Sequence, residues 1–125
     1  MKYIGLFIVC ILLFSCSSPS KDVKEFDEAA WQSDENGCDN VRLQMLDQLI
    51  AAKDQLKGLN QNEIQALLGK PDRHELYKRN QKFFYYQISP GKDCPQPQEE
   101  NIYLSIRFNA TGLSKEVLVM NYISD

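Results

Sequence analysis

The sequence predicts an α+β fold in which two N-terminal helices pack on one face of a three- to four-stranded antiparallel meander sheet. Three observations lead to it, and the first two are patterns: apolar residues recur at helical spacing before Pro71 and at alternating, strand-like spacing after it. The third is length, because 125 residues leave room for a single domain. Such a sheet must bury one face, and the helices are available to cover it.

The first helix is predicted between Asn40 and Leu56. Its apolar side chains recur every three or four residues and form one stripe: Val41, Met45, Leu46, Leu49, Ile50, Ala52 and Leu56. Asn40 is a residue type that caps helix starts, and Gly58 can take the left-handed conformation that follows a helix end.

A second, shorter helix follows almost at once. Asn60 and Glu63 stand at the spacing of a capping box, in which each side chain bonds to the other residue's free backbone N–H. Gly69 is expected to end the helix, and Pro71 prevents its continuation. The expected buried face consists of Ile64, Leu67 and Leu68.

The remainder of the chain predicts strands. They are an aromatic-rich strand at 82–88, the two arms of a hairpin at 101–109 and 113–122, and a short edge strand at 73–77. The hairpin turn is Asn109-Ala110-Thr111-Gly112, with positive φ expected at its glycine. The proline-rich segment 90–100 predicts an irregular loop.

Residues 1–15 have the features of a secretory signal peptide. After Lys2 comes an apolar run of about a dozen residues, too short to span a membrane. The run ends in Leu13-Phe14-Ser15-Cys16, which is similar to a bacterial lipobox and makes Cys16 the predicted lipidation site. The alternatives are a plain signal peptide with an incidental cysteine and an uncleaved anchor.

The predicted organisation therefore has three parts. After the signal peptide, residues 16–30 are mostly small, polar or charged and predict a tether, and residues 31–125 form the folded domain. Two or three acyl chains on Cys16 would hold that domain firmly on a bilayer. The membrane is therefore the first expected partner.

The cysteines of the predicted domain are Cys38 and Cys94. Two cysteines in an exported domain are most simply a disulfide, and the long loop they enclose gives roughly 4 kcal/mol at best in the chain-entropy model. The alternative is two unpaired thiols. Because the chain has no Cys-x-x-Cys pair, a redox site, a zinc site and c-type haem are not expected.

The segment from Gly58 to Asp72 resembles the signature of the SmpA/OmlA (BamE) family, in which a short helix ends in Leu-Gly-x-Pro. The later strands and the hairpin are similar in order and spacing to that family's sheet. The residues that carry this fold motif are Gly58, Asn60, Glu63, Leu68, Gly69 and Pro71. The resemblance implies a β-lactamase-inhibitor-protein-like fold, a lipid anchor in the outer membrane facing the periplasm, and binding of envelope proteins without catalysis.

A candidate binding site lies on the side of the sheet away from the helices. Because Phe83–Tyr86 alternates, one aromatic pair must leave the helix-packed face, although alternation alone does not settle which pair. Aromatic residues and arginine are typical of protein-binding hot spots. The candidate residues are Phe83, Tyr85, Tyr103 and Arg107. Alternatively, the N-terminal segment covers this side, with Trp31 and Phe26 lying across it.

Other residues favour plainer interpretations. His74 is the only histidine and is expected on a loop or edge strand, which supports neither a catalytic triad nor a metal site. The acidic segment 34–39 departs from the calcium-loop pattern and predicts a solvated turn. Lys78, Arg79 and Lys82 suggest a solvated hairpin, or else a contact with phospholipid headgroups or an acidic partner.

Composition narrows the function class. The net charge of −3 and the pI near 5.2 argue against a nucleic-acid partner. We expect no cofactor, no metal and no enzymatic activity. The expected function is a lipid-anchored periplasmic binding or scaffold lipoprotein, an accessory factor in outer-membrane or envelope assembly. The alternative is a soluble exported inhibitor or ligand-binding protein of the same fold.

Overall fold

The computed structural model describes residues 26–123, which form an α+β fold. Four α-helices come first: α1 (Glu28–Ser33), α2 (Val41–Gln44), α3 (Leu46–Ala52) and α4 (Gln61–Leu68). Single turns of 3-10 helix cover Glu35–Gly37, Lys53–Leu56 and Lys78–Asn80. Four antiparallel strands follow in the order β1 (Arg73–Tyr77), β2 (Gln81–Gln87), β3 (Glu100–Phe108) and β4 (Ser114–Ile123). The predicted class, helices followed by an antiparallel meander, is confirmed.

The core lies between the helices and one face of the sheet. Strand alternation turns Ile102, Leu104, Ile106 and Phe108 of β3 towards the helices, where all four are buried. The helices contribute the other side of this core with Leu49, Leu56, Ile64 and Leu68. Within the described residues, no helix is long and apolar enough to cross a membrane.

The single helix predicted from Asn40 to Leu56 is wrong in detail. It is divided into α2, α3 and a 3-10 turn, with a break at Met45, whose N–H bonds to both Val41 O and Arg42 O. Apolar spacing does not show this break, and it gives no weight to Arg42, a buried cation that holds the start of the segment against the core. Ile50, predicted in the apolar stripe, is 47% exposed.

The start of α2 is capped by an aspartate that precedes it. Asn40 has φ +62° and its side chain makes no capping bond, which corrects its predicted role. The carboxylate of Asp34, 1% exposed, instead accepts hydrogen bonds from the backbone N–H groups of Asp39 (2.8 Å) and Arg42 (3.0 Å). The predicted solvated turn at 34–39 therefore contains a buried acid.

Helix α1 extends the folded domain in the N-terminal direction. The predicted boundary between tether and domain, after residue 30, lies inside α1, and Phe26 already packs against the core. Trp31 is fully buried, with ring-centroid distances of 5.5 Å to Phe26 and 6.4 Å to Tyr86. The other side chains of α1 are small, polar or charged, so the sequence shows no apolar stripe that would predict this helix.

The second predicted helix is confirmed as α4, together with its capping box. Glu63 N–H donates to Asn60 Oδ1 (2.8 Å), and Asn60 N–H donates to Glu63 Oε1 (3.2 Å). Gly69 ends the helix with φ +80°, and a Cβ there would lie 3.1 Å from Cγ of Gln32 in α1. Tyr86 Oη donates to Gly69 O (2.8 Å), so the helix stop is also the point where α4 is bonded to the sheet.

The residues around Gly58 attach the helices to β4. Gly58 has the expected positive φ, and its N–H donates to Ser114 O (2.9 Å). Ser114 N–H donates to Leu59 O (2.8 Å), and its hydroxyl donates to Leu56 O (2.6 Å). The predicted turn before β4 is also present, with Gly112 at φ +82°.

Cys38 and Cys94 form a disulfide that joins residues 56 apart in sequence, as predicted. It ties the segment between α1 and α2 to the irregular loop between β2 and β3. Gly37 shows how close these parts lie, because a Cβ on it would lie 2.7 Å from Ile88 O. A side chain at this position would therefore displace the loop.

Candidate protein-binding face

The open face of the sheet is the face opposite the core. In β2, Phe84 and Tyr86 point into the core, so Phe83 and Tyr85 point to the open face. This settles which aromatic pair faces out. The strand registers extend the open-face row across the sheet, placing Glu75 beside Phe83, Arg73 beside Tyr85, Arg107 on the other side of Phe83 and Tyr103 beside Gln87.

Four aromatic rings form a continuous cluster on this face, which we call the aromatic cluster: Tyr77, Phe83, Tyr85 and Tyr103. Phe83 and Tyr85 are stacked with centroids 5.9 Å apart. Tyr77 meets Phe83 edge-on at 5.9 Å, and Tyr103 meets Tyr85 edge-on at 5.8 Å. The rings therefore support one another across three strands, which fixes their orientation.

Two charged residues of β1 hold the centre of the cluster. The Arg73 guanidinium lies 5.0 Å from the Tyr85 ring centroid and 5.8 Å from that of Tyr103, which is cation–π geometry. Tyr85 Oη donates to Glu75 Oε2 at 2.9 Å. Burial, followed by this hydrogen bond and the Glu75 charge, raises the pKa of Tyr85 to about 12. The folded protein therefore favours the protonated phenol, which is the form that donates to Glu75.

The far side of the open face is more aliphatic. Arg107 lies 3.9 Å from Glu116 of β4 in a partly exposed ion pair. Leu118 and Met120, both in β4, are each 39% exposed. The whole face thus presents aromatic rings, apolar side chains and two arginines to solvent.

The four predicted site residues Phe83, Tyr85, Tyr103 and Arg107 all lie on this face, and Phe83 is directly opposite Arg107 in the register. The alternative, in which Trp31 and Phe26 cover the face, is wrong, because both pack on the core side near Tyr86.

Sequence reasoning missed Arg73 and Tyr77 as members of the site. They belong to the edge strand that was predicted, and alternation within it places both residues on the open face. The signal was therefore available, but it required knowing that β1 pairs with β2.

A buried ion pair lies at the end of the sheet and also escaped the sequence analysis. Arg42 Nη1 donates to Asp72 Oδ2 at 2.7 Å, with the two side chains 1% and 7% exposed. Arg42 also donates to Trp31 O and Gln87 O, and it lies 4.8 Å from the Trp31 ring centroid. Asp72 in turn accepts from Gln87 N–H (2.7 Å). This network joins α2, β2 and the segment before β1, so its role is structural.

A groove of about 370 Å³ continues the open face beyond the aromatic cluster. Arg73, Gln87 and Asn101 line it on the sheet side, and the loop between β2 and β3 forms its other wall with residues 90–93 and 98–99. Its lining is rich in amides and carries both signs of charge. Because the disulfide anchors this loop, it also fixes the shape of the groove.

The remaining candidate residues are separate from this face. His74 is exposed on the edge strand, as predicted. Lys82 donates to Gln61 Oε1 (3.1 Å), so it is tied to α4, whereas Lys78 and Arg79 are exposed at the turn. Within residues 26–123, no cluster of His, Cys, Asp and Glu side chains could hold a metal ion. The predicted lipidation site, Cys16, lies outside the described residues.

Comparison with known proteins leaves this site to be interpreted from its own geometry. No family model, no curated protein and no solved structure matches the chain.

Proposed function

We propose that this protein is a binding module that docks another protein on the open face of its sheet. The observation that carries the proposal is the aromatic cluster, oriented by Arg73 and Glu75 and left partly exposed. Tyrosine and arginine dominate protein-binding hot spots because they combine a large apolar area with a polar end. Mutual packing of the rings reduces the entropy that binding would otherwise cost.

We further propose that the module is an envelope lipoprotein. The support is the lipobox-like Leu13–Cys16 segment and a disulfide in the described domain, since disulfides persist in oxidising compartments. Acylation at Cys16 would tether the domain to a membrane leaflet, most simply the outer membrane with the domain in the periplasm. There it would act as a scaffold or accessory factor in envelope assembly, as its resemblance to SmpA/OmlA (BamE) proteins implies.

A double variant tests the docking face. We expect Tyr103→Ala/Arg107→Ala to lose reciprocal co-purification of the acylated protein with a specific envelope protein, while its melting temperature stays close to wild type. Gln48→Ala/Gln65→Ala, on exposed positions of α3 and α4, is the matched control and should retain the partner. Equal recovery from both double variants would remove the open face as the docking site.

Metabolic labelling with a palmitate analogue tests the anchor. We expect label in the wild-type chain and in Cys10→Ala, and none in Cys16→Ala. Label retained in Cys16→Ala, or absent from the wild-type chain, would exclude lipidation at this residue.

The second candidate is a soluble exported inhibitor or ligand-binding protein. The groove of about 370 Å³ favours it, because its volume falls in the range of small-molecule sites and its amide-rich lining could orient a polar ligand. Absence of lipid label together with an unaltered double variant would favour this candidate over the docking module.

A further inference from the structure

The strand β1 forms an exposed edge of the sheet. All five of its residues, Arg73–Tyr77, are exposed, although the strand is fully paired with β2 along its other side. An edge strand leaves backbone N–H and C=O groups without a strand partner, and these are a template for another chain. Proteins usually cover or shorten such edges.

The opposite edge of the sheet is covered at the first residue of β4. At its start, β4 exchanges hydrogen bonds with Gly58 and Leu59, and Asn60 forms a bridge to Leu113. Within residues 26–123, no backbone hydrogen bond reaches the outer side of β1. The edge at β1 therefore lacks the backbone contacts that the start of β4 makes, and unlike β4 it has no buried or half-buried residue.

The side chains of β1 indicate how a partner would approach. Leu76 is 78% exposed and Tyr77 is 56% exposed, and as successive strand residues they point to opposite faces of the sheet. A partner lying flat on the open face would cover only Tyr77. An extended chain lying along the edge would contact both, and it would also pair with the free backbone groups.

The charges around β1 favour a different protein over a second copy of this chain as the source of an added strand. Arg73 lies at the start of the strand, Lys78 and Arg79 follow its end, and the single acid, Glu75, is engaged by Tyr85 Oη. If two copies paired antiparallel through β1, Arg73 of one copy would approach the Lys78–Arg79 turn of the other, which like-charge repulsion disfavours. Acidic residues at the ends of an added strand would meet cations at both positions.

We propose that β1 accepts an extended segment of a partner protein as a fifth strand, with acidic residues flanking apolar ones. This inference rests on the proposed function, since it specifies how a docked protein would be held. Backbone pairing would supply affinity, and the alternate side chains would supply specificity. The aromatic cluster, whose last ring is Tyr77, would continue onto the added strand.

The test uses the full acylated chain in detergent and a seven-residue probe, acetyl-Asp-Val-Thr-Val-Thr-Val-Asp-amide. A control peptide replaces both aspartates with lysine. We expect the acidic probe to bind at least about ten-fold more tightly than the basic one, and more weakly as salt is raised. Hydrogen exchange should show that the acidic probe protects those alternate amides of residues 73–77 that do not already bond to β2, and leaves the amides of 114–121 unchanged.

Matched variants locate the contact. Leu76→Glu should abolish binding of the acidic probe, because it removes an apolar contact and adds like charge, whereas Met120→Glu, the same change at an exposed apolar residue of β4, should retain it. The proposal is overturned by any of four results: no binding, equal binding of both peptides, protection confined to β2 and β3, or unchanged binding by Leu76→Glu. Protection of β1 that rises with protein concentration without peptide would also overturn it, because a second copy would then be the occupant.

The two proposals can fail separately. If the probe experiment fails but Tyr103→Ala/Arg107→Ala still loses its partner, docking on the open face stands and only strand addition falls. If that double variant keeps its partner, the docking face itself is wrong, whatever the probe does.

Discussion

The two faces of this sheet are built from similar residues, but one packs into the core and the other is partly exposed. In β2, consecutive aromatics alternate: Phe84 and Tyr86 are 3% and 0% exposed in the core, whereas Phe83 and Tyr85 are only partly covered. Tyr86 donates to a backbone carbonyl of the helix layer, while Tyr85 donates to a neighbouring surface carboxylate. Residue type therefore does not decide the role of an aromatic side chain here. Its register relative to the helices does.

The comparison extends to the charged residues. Arg42 is buried on the helix side with an ion-pair partner, two carbonyl acceptors and an aromatic ring. On the open face, Arg107 has a single long contact to a half-exposed glutamate. The core side uses its cation to hold elements together, whereas the open side leaves its cations accessible. Changes on the two faces should therefore separate stability from binding.

The largest expected loss of stability comes from Arg42→Ala. Removing the cation leaves Asp72 buried and unpaired, which costs about 3–5 kcal/mol in the free energy of unfolding. Arg107→Ala is the control and should cost less than about 1 kcal/mol, because its ion pair is exposed to solvent. Urea denaturation measures both. Similar losses from the two variants would contradict the assignment of Arg42 to the core.

Two leucines, one on each face of the sheet, should show the next largest difference in stability when each is replaced by alanine. Leu104 is fully buried, so Leu104→Ala is expected to cost about 2–5 kcal/mol through lost burial and the cavity left behind. Leu118→Ala, at a 39% exposed position, should change stability by no more than about 0.5 kcal/mol. A large loss from Leu118→Ala would mean that something in the chain covers the open face.

Loss of the disulfide should weaken the domain without altering the aromatic cluster. Reduction, or Cys38→Ala/Cys94→Ala, is expected to lower stability by about 2–4 kcal/mol, since the enclosed loop is long. Calorimetry with and without reductant gives this number. An unchanged melting temperature would show that the bridge adds nothing to the fold.

The smallest expected effect is on the stability of the domain at alkaline pH. Burial raises the pKa of the Tyr86 phenol, so the folded state favours its protonated form, and the stability this provides is present below pH 10 and lost as pH rises above it. Tyr86→Phe should cost about 1 kcal/mol at neutral pH by losing its hydrogen bond to Gly69 O, and should flatten the alkaline decline. Tyr85→Phe, on the half-exposed face, should flatten it less. Parallel alkaline profiles for wild type and Tyr86→Phe would contradict this.

Much of the sheet could be predicted from sequence, because polar and apolar residues alternate strictly along a strand that has one apolar side. Ile102 to Phe108 alternates with Tyr103, Ser105 and Arg107, so the inward row was unambiguous. In Phe83–Tyr86 every residue is aromatic, and alternation could not say which pair turned inward. Pairing with β3 resolves it, and that is a long-range property.

The helical half was predicted less well because part of it is held by polar side chains that are far apart in the sequence. The capping box at Asn60 and Glu63 is local and was found. The bond network of Arg42, Asp34 and Asp72 joins residues far apart in sequence, and it holds the start of the predicted long helix, which is divided into α2, α3 and a 3-10 turn. Helix α1 was missed because Trp31 is its only fully buried side chain.

The most direct test of this account places a photo-crosslinking amino acid on each face of the molecule in living cells. A crosslinker at Tyr103, on the open face, should capture a specific envelope protein, and one at Tyr85 should capture the same protein. A crosslinker at Gln65, on the exposed surface of α4, should not capture that protein. Capture from position 65 with none from 103 or 85 would contradict the claim that the open face is the binding surface.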